Sequence, residues 1–220
     1  ITLNAKELQV RKAEANQLSA LVKHIDEDVV LTFSKPLKGK VELTLEFTGV
    51  HNDGMYGFYR SKHSQGYLLT TQFESANARA AFPCFDEPAL KATFDVSLIV
   101  PQQLFTISNM PIKQERILPD NRKVVSFQTT PKMSTYLLYL GVGSFKYVST
   151  RHRDVEIRVF TVPEKIQYAS LALTYTATFL QFFEKYFHIN YPLPKLDIIA
   201  IPDFASGAME NWGAITFREI

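Results

Sequence analysis

The sequence predicts a mainly β fold class, in which an antiparallel β domain of sandwich or saddle shape precedes the start of an α/β domain. Three observations support this. Apolar and polar residues alternate in short runs over roughly the first 160 residues, turn-forming residues separate these runs, and a helical period appears only after Pro163. We therefore expect two domains, one at 1–158 and one at 159–220.

Each strand-like run of the first part has a period of two. In Val41–Phe47 the apolar residues alternate with Glu and Thr, which predicts one buried and one solvated face. Similar runs occur at Ala92–Val100, Lys123–Thr130 and Val155–Val162. Turn signals rich in Gly, Pro, Asn and Asp fall between the runs at His51–Gly57, Ser108–Pro111 and Leu118–Asn121. Such spacing predicts an antiparallel all-β domain of roughly eight or more strands.

The second part begins with a predicted amphipathic helix over Glu164–Phe187, and Pro163 suits its start. Its apolar residues recur at helical spacing, at Ile166, Ala169, Leu173, Leu180, Phe183 and Phe187. The prolines of the following segment stop the helix. Leu196–Pro202 then has the pattern of a buried strand, and Gly213–Phe217 is predicted as the next strand.

Composition excludes several classes of function. The 220 residues carry a formal net charge of +2, and no window combines basic residues with interleaved aromatics, so nucleic acid is not an expected partner. The most apolar window, Tyr136–Gly143, is too short to span a bilayer, and no membrane partner is expected. The single cysteine, Cys84, fits a reducing compartment, and a cytoplasmic location is predicted. Both ends start or stop within strand-like patterns, which indicates part of a longer protein.

The sequence shows no motif for a metal site or a catalytic nucleophile. None of the five histidines lies three or four residues from another, and the H-E-x-x-H pattern that places two imidazoles on one helical face is absent. The chain therefore has no zinc site of its own that the sequence identifies. No G-x-S-x-G motif occurs, and Cys84 has no nearby histidine, so it is predicted to be packed in the core.

One short segment combines glycines with a carboxylate. Gly207 and Gly213 bracket it, and a backbone without Cβ atoms lets a ligand approach closely. Glu210 would then offer its carboxylate to a cation, such as the free ammonium of a peptide N-terminus. Taken alone, the same residues favour a strand-connecting turn that carries a solvated Glu.

The segment Gly207–Asn211, Gly-Ala-Met-Glu-Asn, resembles the exopeptidase signature of the zinc aminopeptidases of the gluzincin clan. This family includes aminopeptidase N, puromycin-sensitive aminopeptidase and the tricorn-cofactor peptidases. Thr71–Phe94 is similar to the family's other long signature, and Gly57–Lys62 resembles the segment that precedes it. The matches lie in family order and cover most of the chain. Within Thr71–Phe94, Asp86-Glu87-Pro88 is predicted to form a turn or a helix entry, and Arg79 is expected to form an ion pair.

The resemblance implies that Glu210 binds the α-ammonium of a peptide substrate with the help of Gln72 and Glu74. Gly207, Ala208, Met209 and Asn211 would line the bound peptide in the manner of an edge strand, although Met209 could equally belong to the core. Gln72 and Glu74 are two residues apart, so on a strand both side chains would point to one face. The plain alternative for these two residues is a solvated strand face.

The resemblance also implies parts that this sequence lacks. The family has a helix with H-E-x-x-H, a third carboxylate ligand and a tyrosine after the Gly207–Asn211 segment. Zinc is thus expected in a full-length parent, with its ligands outside this chain, and residues 159–220 would begin a thermolysin-like peptidase domain. The remainder of that domain is an expected partner, and this chain alone is expected to be inactive. The rival is a non-catalytic peptide-binding or assembly module, which the gene sequence beyond Ile220 would distinguish.

Overall fold

The computed structural model describes residues 1–219. Within this range it contains seventeen strands, three short 3-10 helices and one α-helix. In chain order these are β1 (Thr2–Asn4), β2 (Gln9–Ala15), β3 (Leu18–Ile25), β4 (Asp28–Phe33), β5 (Leu43–Thr48), β6 (Gly57–His63), β7 (Gly66–Gln72), β8 (Ser97–Pro101), β9 (Phe105–Ser108), β10 (Ile112–Ile117), β11 (Arg122–Phe127), β12 (Leu140–Gly143), β13 (Lys146–His152), β14 (Val155–Thr161), α1 (Ala169–Phe187), β15 (Lys195–Ile201), β16 (Ala208–Met209) and β17 (Ala214–Arg218), with 3-10 helices at Ala78–Ala80, Thr135–Leu137 and Pro163–Tyr168. The predicted mainly β fold with antiparallel sheets is confirmed.

The first sheet has the order β1-β4-β3-β2-β5, and all its neighbouring strands are antiparallel. Val29 and Leu31 of β4 are buried in its core. Leu43 and Leu45 pack against that core, as the alternation along β5 predicts. Phe47 follows the same alternation but remains 37% exposed on this outer strand.

Two further antiparallel sheets follow. One has three strands in the order β10-β11-β8, and the other, here called the central sheet, has four strands in the order β6-β7-β12-β9. The predicted run Lys123–Thr130 corresponds to β11. The run Ala92–Val100 is only partly a regular strand, because β8 begins at Ser97 and Ala92 instead makes an isolated bridge to Met133.

The last sheet is mixed, with the order β13-β14-β15-β17-β16. Its strands β14, β15 and β17 are parallel, and an antiparallel strand flanks them on each side. Helix α1 connects β14 to β15, as a parallel pair requires, and packs Leu180 against Ile157 and Leu196. The predicted strands Leu196–Pro202 and Gly213–Phe217 correspond to β15 and β17.

The predicted helix begins with a 3-10 helix at Pro163–Tyr168 before α1 starts at Ala169. Phe183 and Phe187, which share the helical spacing of the buried positions, are 50% and 59% exposed. Helix α1 packs on the sheet through one side only. The two exposed rings stack on each other instead, and their centroids lie 6.0 Å apart. No helix within residues 1–219 is long and apolar enough to cross a membrane.

The predicted boundary at 158 lies inside β14, whose sheet also contains β13 and β15. One cluster of buried residues, here called the shared core, contains residues from both sides of this position. It consists of Leu68, Phe73, Ala78, Ile107, Met133, Leu137, Leu138, Tyr139, Phe145, Phe160, Val162, Ile199, Ile201, Phe204, Met209 and Ala214. The two parts of the chain therefore pack on a common core, and the boundary remains a prediction.

Candidate functional site

The Gly207–Asn211 segment lies at the edge of the mixed sheet. Ala208 and Met209 form the outer strand β16, which pairs antiparallel with β17. The Gly207 carbonyl accepts a hydrogen bond from the Arg218 amide at 3.0 Å, which extends this pairing. An outer strand leaves one row of backbone amides and carbonyls without strand partners. An extended peptide can therefore add to this edge through backbone hydrogen bonds.

The side chains of this segment alternate between the interior and the solvent. Met209 is fully buried in the shared core, and Asn211 is only 1% exposed. The Asn211 Nδ2 atom lies 3.4 Å from Thr216 Oγ1, to which it donates. Ala208 and Glu210 are exposed. Met209 and Asn211 can thus line a ligand only through their backbones, whereas Glu210 has a carboxylate available at the surface.

The two glycines that bracket the segment have different surroundings. A Cβ atom added at Gly207 would meet no heavy atom within 4 Å. At Gly213, which has a φ of +72°, a Cβ atom would lie 2.4 Å from the carbonyl oxygen of Asn109. The protein's own packing therefore requires glycine at 213, while the space beside Gly207 is open to a ligand.

Gln72 and Glu74 lie on either side of the end of β7. Gln72 is the last residue of the strand and is 5% exposed, and its Oε1 atom is buried without a hydrogen-bond partner in the described chain. Glu74 is exposed and lies beyond the strand, in a turn where the Asn77 amide donates to the Phe73 carbonyl. The prediction that both side chains leave one strand on the same face is therefore wrong, because the strand ends before Glu74.

The shared core joins the two candidate segments. Phe73, between Gln72 and Glu74, and Met209, next to Glu210, both belong to it. Within residues 1–219 no hydrogen bond or ion pair joins the Glu210 side chain to Gln72 or Glu74. Both segments thus pack on one core, and no hydrogen bond or ion pair joins the three polar side chains within the described residues.

A cavity of about 460 Å³ borders Glu210. Its walls are mostly apolar and include Pro131, Leu193 and Trp212, of which Trp212 is 39% exposed. The Glu210 carboxylate is therefore next to a space of ligand size, and that space offers apolar contacts.

Three charged residues, the buried Lys195 and Asp197 and the largely buried Arg158, are here called the ion cluster and were not identified from the sequence. Arg158 donates two hydrogen bonds to the Asp197 carboxylate, at 2.7 and 2.8 Å. Lys195 Nζ donates to Asp197 Oδ2 and to the Gly213 carbonyl, both at 2.6 Å. Burial lowers the pKa of Lys195, while the Asp197 carboxylate opposes that change. The only sequence signal was two charged residues at alternate positions of an otherwise apolar strand.

Cys84 and its neighbours have structural roles, as predicted. Cys84 packs against the shared core, and burial raises the pKa of its thiol to about 12, with a smaller contribution from Asp86. A protonated thiol is a poor nucleophile. Arg79 Nε donates to Asp86 Oδ2 at 3.1 Å, which confirms the expected ion pair.

No group of three or more His, Cys, Asp or Glu side chains in the described range is arranged to hold a metal ion. The zinc ion that the family resemblance implies therefore finds no fitting set of ligands in residues 1–219, and no chemical step at a metal is derived from them.

The chain is similar to known protein families and to individual proteins. Residues 1–137 match the Peptidase M1 N-terminal domain, and residues 171–220 match the Peptidase family M1 domain. The chain is 42% identical over its whole length to "Aminopeptidase 2, mitochondrial" of Saccharomyces cerevisiae, of which it covers 24%. It is 49% identical over 82% of its length to "Puromycin-sensitive aminopeptidase" of Caenorhabditis elegans, covering 20% of that protein. "Tricorn protease-interacting factor F2" of Thermoplasma acidophilum is 42% identical over the whole chain, which covers 27% of it.

The chain spans about a quarter of the length of these relatives. One family match covers more than half of the chain, the second follows in the same order, and the relatives are aminopeptidases or a factor that interacts with a protease. This protein chain belongs to peptidase family M1.

Proposed function

We propose that this chain supplies the part of an M1 aminopeptidase that holds the free N-terminus of a peptide substrate. The observation that carries the proposal is the buried Oε1 atom of Gln72, which lacks a hydrogen-bond donor among the described residues. A buried acceptor without a partner costs about 1–3 kcal/mol of stability, so a ligand that brings a donor gains affinity there. Gln72, Glu74 and Glu210 are together called the ammonium site.

The chemistry of an α-ammonium suits these three residues. It has three N–H donors and one positive charge, and the site offers two carboxylates and one amide carbonyl. Hydrogen bonds between ions are roughly twice as strong as those between neutral groups. Two carboxylates brought close together also repel each other unless a cation lies between them. A peptide with a blocked N-terminus would lose both contributions.

The edge strand β16 would hold the backbone of the same peptide. Its outer side offers unpaired backbone groups, and the space beside Gly207 is open. A peptide that adds to this edge is aligned by its main chain, whatever its side chains are. Binding at the ammonium site then fixes the register, so that the first peptide bond occupies one defined place.

Hydrolysis itself is assigned to a longer parent. Family M1 resemblance implies a zinc ion, which would activate water, and residues 1–219 hold no fitting ligand set for it. We expect this chain by itself to retain no zinc and to leave aminoacyl-anilides intact. Cleavage above that of a chelator-treated control would contradict this expectation.

The remainder of the peptidase domain is the proposed partner. A groove of about 880 Å³ lies between α1 and the mixed sheet, and it is almost wholly apolar. Tyr175, Phe179 and Phe183 on its helical side are at least half exposed. An exposed apolar patch with polar residues at its rim can mark a surface for protein contact. Further residues of a parent roughly four times as long as this chain would cover it.

The proposed location is the cytoplasm, where peptides with free N-termini would be the substrates and neither nucleic acid nor membrane would be a partner. The chain carries one cysteine and a net charge of +2, in keeping with this location. The yeast relative is named as mitochondrial, and that name describes the relative.

Binding of leucinamide and of N-acetyl-leucinamide to this chain, followed by NMR titration, tests the proposed function. We expect the free amine to bind at least about tenfold more tightly, because only it carries the ammonium. Glu210→Gln should abolish that preference. Glu87→Gln, which changes an exposed Glu away from the site, should leave it unchanged. Equal binding of the two amides by the unmodified chain would contradict the proposal.

A further inference from the structure

Hydrogen bonds join the segment Asp203–Gly213, here called the anchored segment, to the central sheet at both of its ends. The segment contains Gly207–Asn211 and hence Glu210. Between its ends it pairs with β17 over two residues, Arg218 donates hydrogen bonds to the carbonyls of residues 204–207, and Asn211 donates to Thr216. The position of Glu210 therefore depends on these bonds together with those that hold the two ends.

The first anchor is Asp203, which makes three hydrogen bonds to β6. The hydroxyl of Tyr59 donates to the Asp203 carbonyl at 2.7 Å, and the Lys62 amide donates to Asp203 Oδ2 at 2.6 Å. The Asp203 amide donates to Ser61 Oγ at 2.8 Å. Tyr59 and Ser61 are fully buried. The bonds that Asp203 makes with Tyr59 and Ser61 are therefore partly shielded from competing water, whereas its bond with the Lys62 amide is exposed.

The second anchor is Asn109, which directly follows β9 and is 1% exposed. Its Nδ2 atom donates to the Trp212 carbonyl at 2.9 Å and to the Leu137 carbonyl at 2.7 Å. Its Oδ1 atom accepts from the Tyr139 amide at 2.8 Å. Three of its hydrogen-bonding positions are thus used, and one of them holds the end of the anchored segment.

The central sheet relates these anchors to Gln72. In the order β6-β7-β12-β9, Asp203 is bonded to the outer strand β6, Asn109 follows the outer strand β9, and Gln72 ends the inner strand β7. Within the β6–β7 pair, Gln72 lies opposite Gly57 and Thr70 lies opposite Tyr59. One hydrogen-bonded sheet therefore carries Gln72 and both points that hold the anchored segment.

We propose that Asp203 and Asn109 are positioning residues for the ammonium site: they hold the Glu210 segment at a fixed place relative to Gln72. This inference rests on the proposed function and adds residues that the family signatures did not single out. An ammonium must contact both segments at once, and misplacement by about 1 Å can cost as much as ~100-fold in a positioned reaction. The two anchors restrict movement of the Glu210 segment before the ligand binds.

A matched pair of tyrosines separates positioning from general stability. Tyr59 and Tyr139 are both fully buried, and each hydroxyl makes one hydrogen bond. The Tyr59 hydroxyl binds the anchored segment, whereas the Tyr139 hydroxyl binds Thr70 within the central sheet. Tyr59→Phe therefore removes one of the three hydrogen bonds at the Asp203 anchor, and Tyr139→Phe removes a buried bond elsewhere.

Asn109 and Asp203 provide further variants. Ser108→Ala is the control for Asn109→Ala, because the adjacent Ser108 hydroxyl is buried and donates to the Tyr139 carbonyl instead of the segment. At Asp203, the change to Ala removes the acceptor for the Lys62 amide, and the change to Asn retains an oxygen there. Asp203→Asn should therefore preserve binding that Asp203→Ala loses.

The experiment measures leucinamide affinity and hydrogen–deuterium exchange of residues 204–213 in each folded variant of this chain. Anchor variants should bind about three- to tenfold more weakly and exchange faster in the segment, while Tyr139→Phe and Ser108→Ala should match the unmodified chain. If the unmodified chain binds the amide and the two tyrosine variants behave alike in both measurements, the positioning role is overturned and the proposed function stands. If the unmodified chain binds no amide, both are overturned.

Discussion

Asp197 and Gln72 are both buried polar side chains, but they differ in whether the protein supplies their hydrogen-bond donors. Asp197 is fully buried and receives hydrogen bonds from Arg158 and Lys195. Gln72 is 5% exposed, and its carbonyl oxygen has no donor among residues 1–219. The protein itself thus supplies the cationic donors for the Asp197 carboxylate, whereas the Gln72 carbonyl oxygen has no donor among the described residues.

The difference separates a structural site from a binding site. A buried charge with its partners in place fixes local geometry, and here Lys195 also holds the Gly213 carbonyl at the end of the anchored segment. A buried acceptor without a partner lowers stability, so stability alone does not explain its presence. A buried polar atom without a partner is expected where a protein binds a ligand. Four substitutions test this distinction, and the largest effect is expected in the ion cluster.

Asp197→Ala should lower the free energy of unfolding by about 3–5 kcal/mol, because it leaves Arg158 and Lys195 buried with no carboxylate between them. Urea denaturation followed by circular dichroism measures the change. Asp120→Ala is the matched control: its carboxylate also binds an arginine, Arg122, but both side chains are more than half exposed. An exposed pair contributes about 0–1 kcal/mol. Similar losses in the two variants would contradict the structural role of the ion cluster.

Gly213→Ala should have the next largest effect. The new Cβ would lie 2.4 Å from the Asn109 carbonyl oxygen, and the backbone has a φ of +72°. We expect a loss of about 1–3 kcal/mol in urea denaturation, in the range of such strain. Gly207→Ala is the control, since its Cβ enters open space, and its stability should change by no more than about 0.5 kcal/mol. Equal losses at both glycines would show that the contact with Asn109 relaxes without cost.

Much of the fold could be predicted from local patterns. Alternation identified β11, β14 and the strands after α1, because one face of a strand, or both, must be buried. The pattern did not reveal that Phe183 and Phe187 would be exposed, since spacing identifies an apolar side of a helix without saying what covers it. Sheet order was also beyond local patterns, because strands distant in sequence pair through tertiary contacts.

The sequence suggested only part of the candidate site. The family signatures pointed to the glycine-flanked Glu210 and to Gln72, whose substrate-binding roles remain predictions, and Glu210 is exposed. The turn at Glu74 was not predicted, because it depends on Phe73 entering the shared core. Asn109 was not singled out either. Its importance comes from contacts to Trp212 and Leu137, which no spacing in the sequence indicates.

Gln72→Met should have a smaller effect on stability, with the opposite sign. Replacing the amide by an apolar chain of similar length removes the unpaired oxygen, so the free energy of unfolding should rise by about 1 kcal/mol while leucinamide binding is lost. Thr70→Val, two residues earlier on β7, is the control because the Thr70 hydroxyl has a partner in Tyr139. That change should destabilise the chain by about 1–2 kcal/mol. A clear loss of stability in Gln72→Met would mean that the amide has a structural partner.

Glu164 combines the features of Asp197 and Gln72, because one of its carboxylate oxygens has hydrogen-bond partners and the other has none. Its substitution should have the smallest effect on stability. Its Oε1 atom accepts hydrogen bonds from Ser64 and His63, whereas its Oε2 atom is buried without a partner in the described residues. The Ser64 hydroxyl, with backbone and His63 contributions, lowers the pKa of Glu164 from 4.5 to about 2. Since the folded-state pKa is depressed, the stabilisation is complete above pH 4.5 and is lost as the pH falls towards 2.

Glu164→Gln should therefore lower the urea midpoint at pH 5, and its difference from the unmodified chain should shrink steadily as the pH is reduced to 3. Ser64→Ala removes the largest cause of the shift, so an NMR titration of the Glu164 carboxyl should then give a pKa closer to 4.5. A pH-independent difference would show that Glu164 acts through packing alone. His63 ends β6, Ser64 follows it, and Glu164 lies in the 3-10 helix that precedes α1. The titration therefore reports on a contact that joins the first part of the chain to the second.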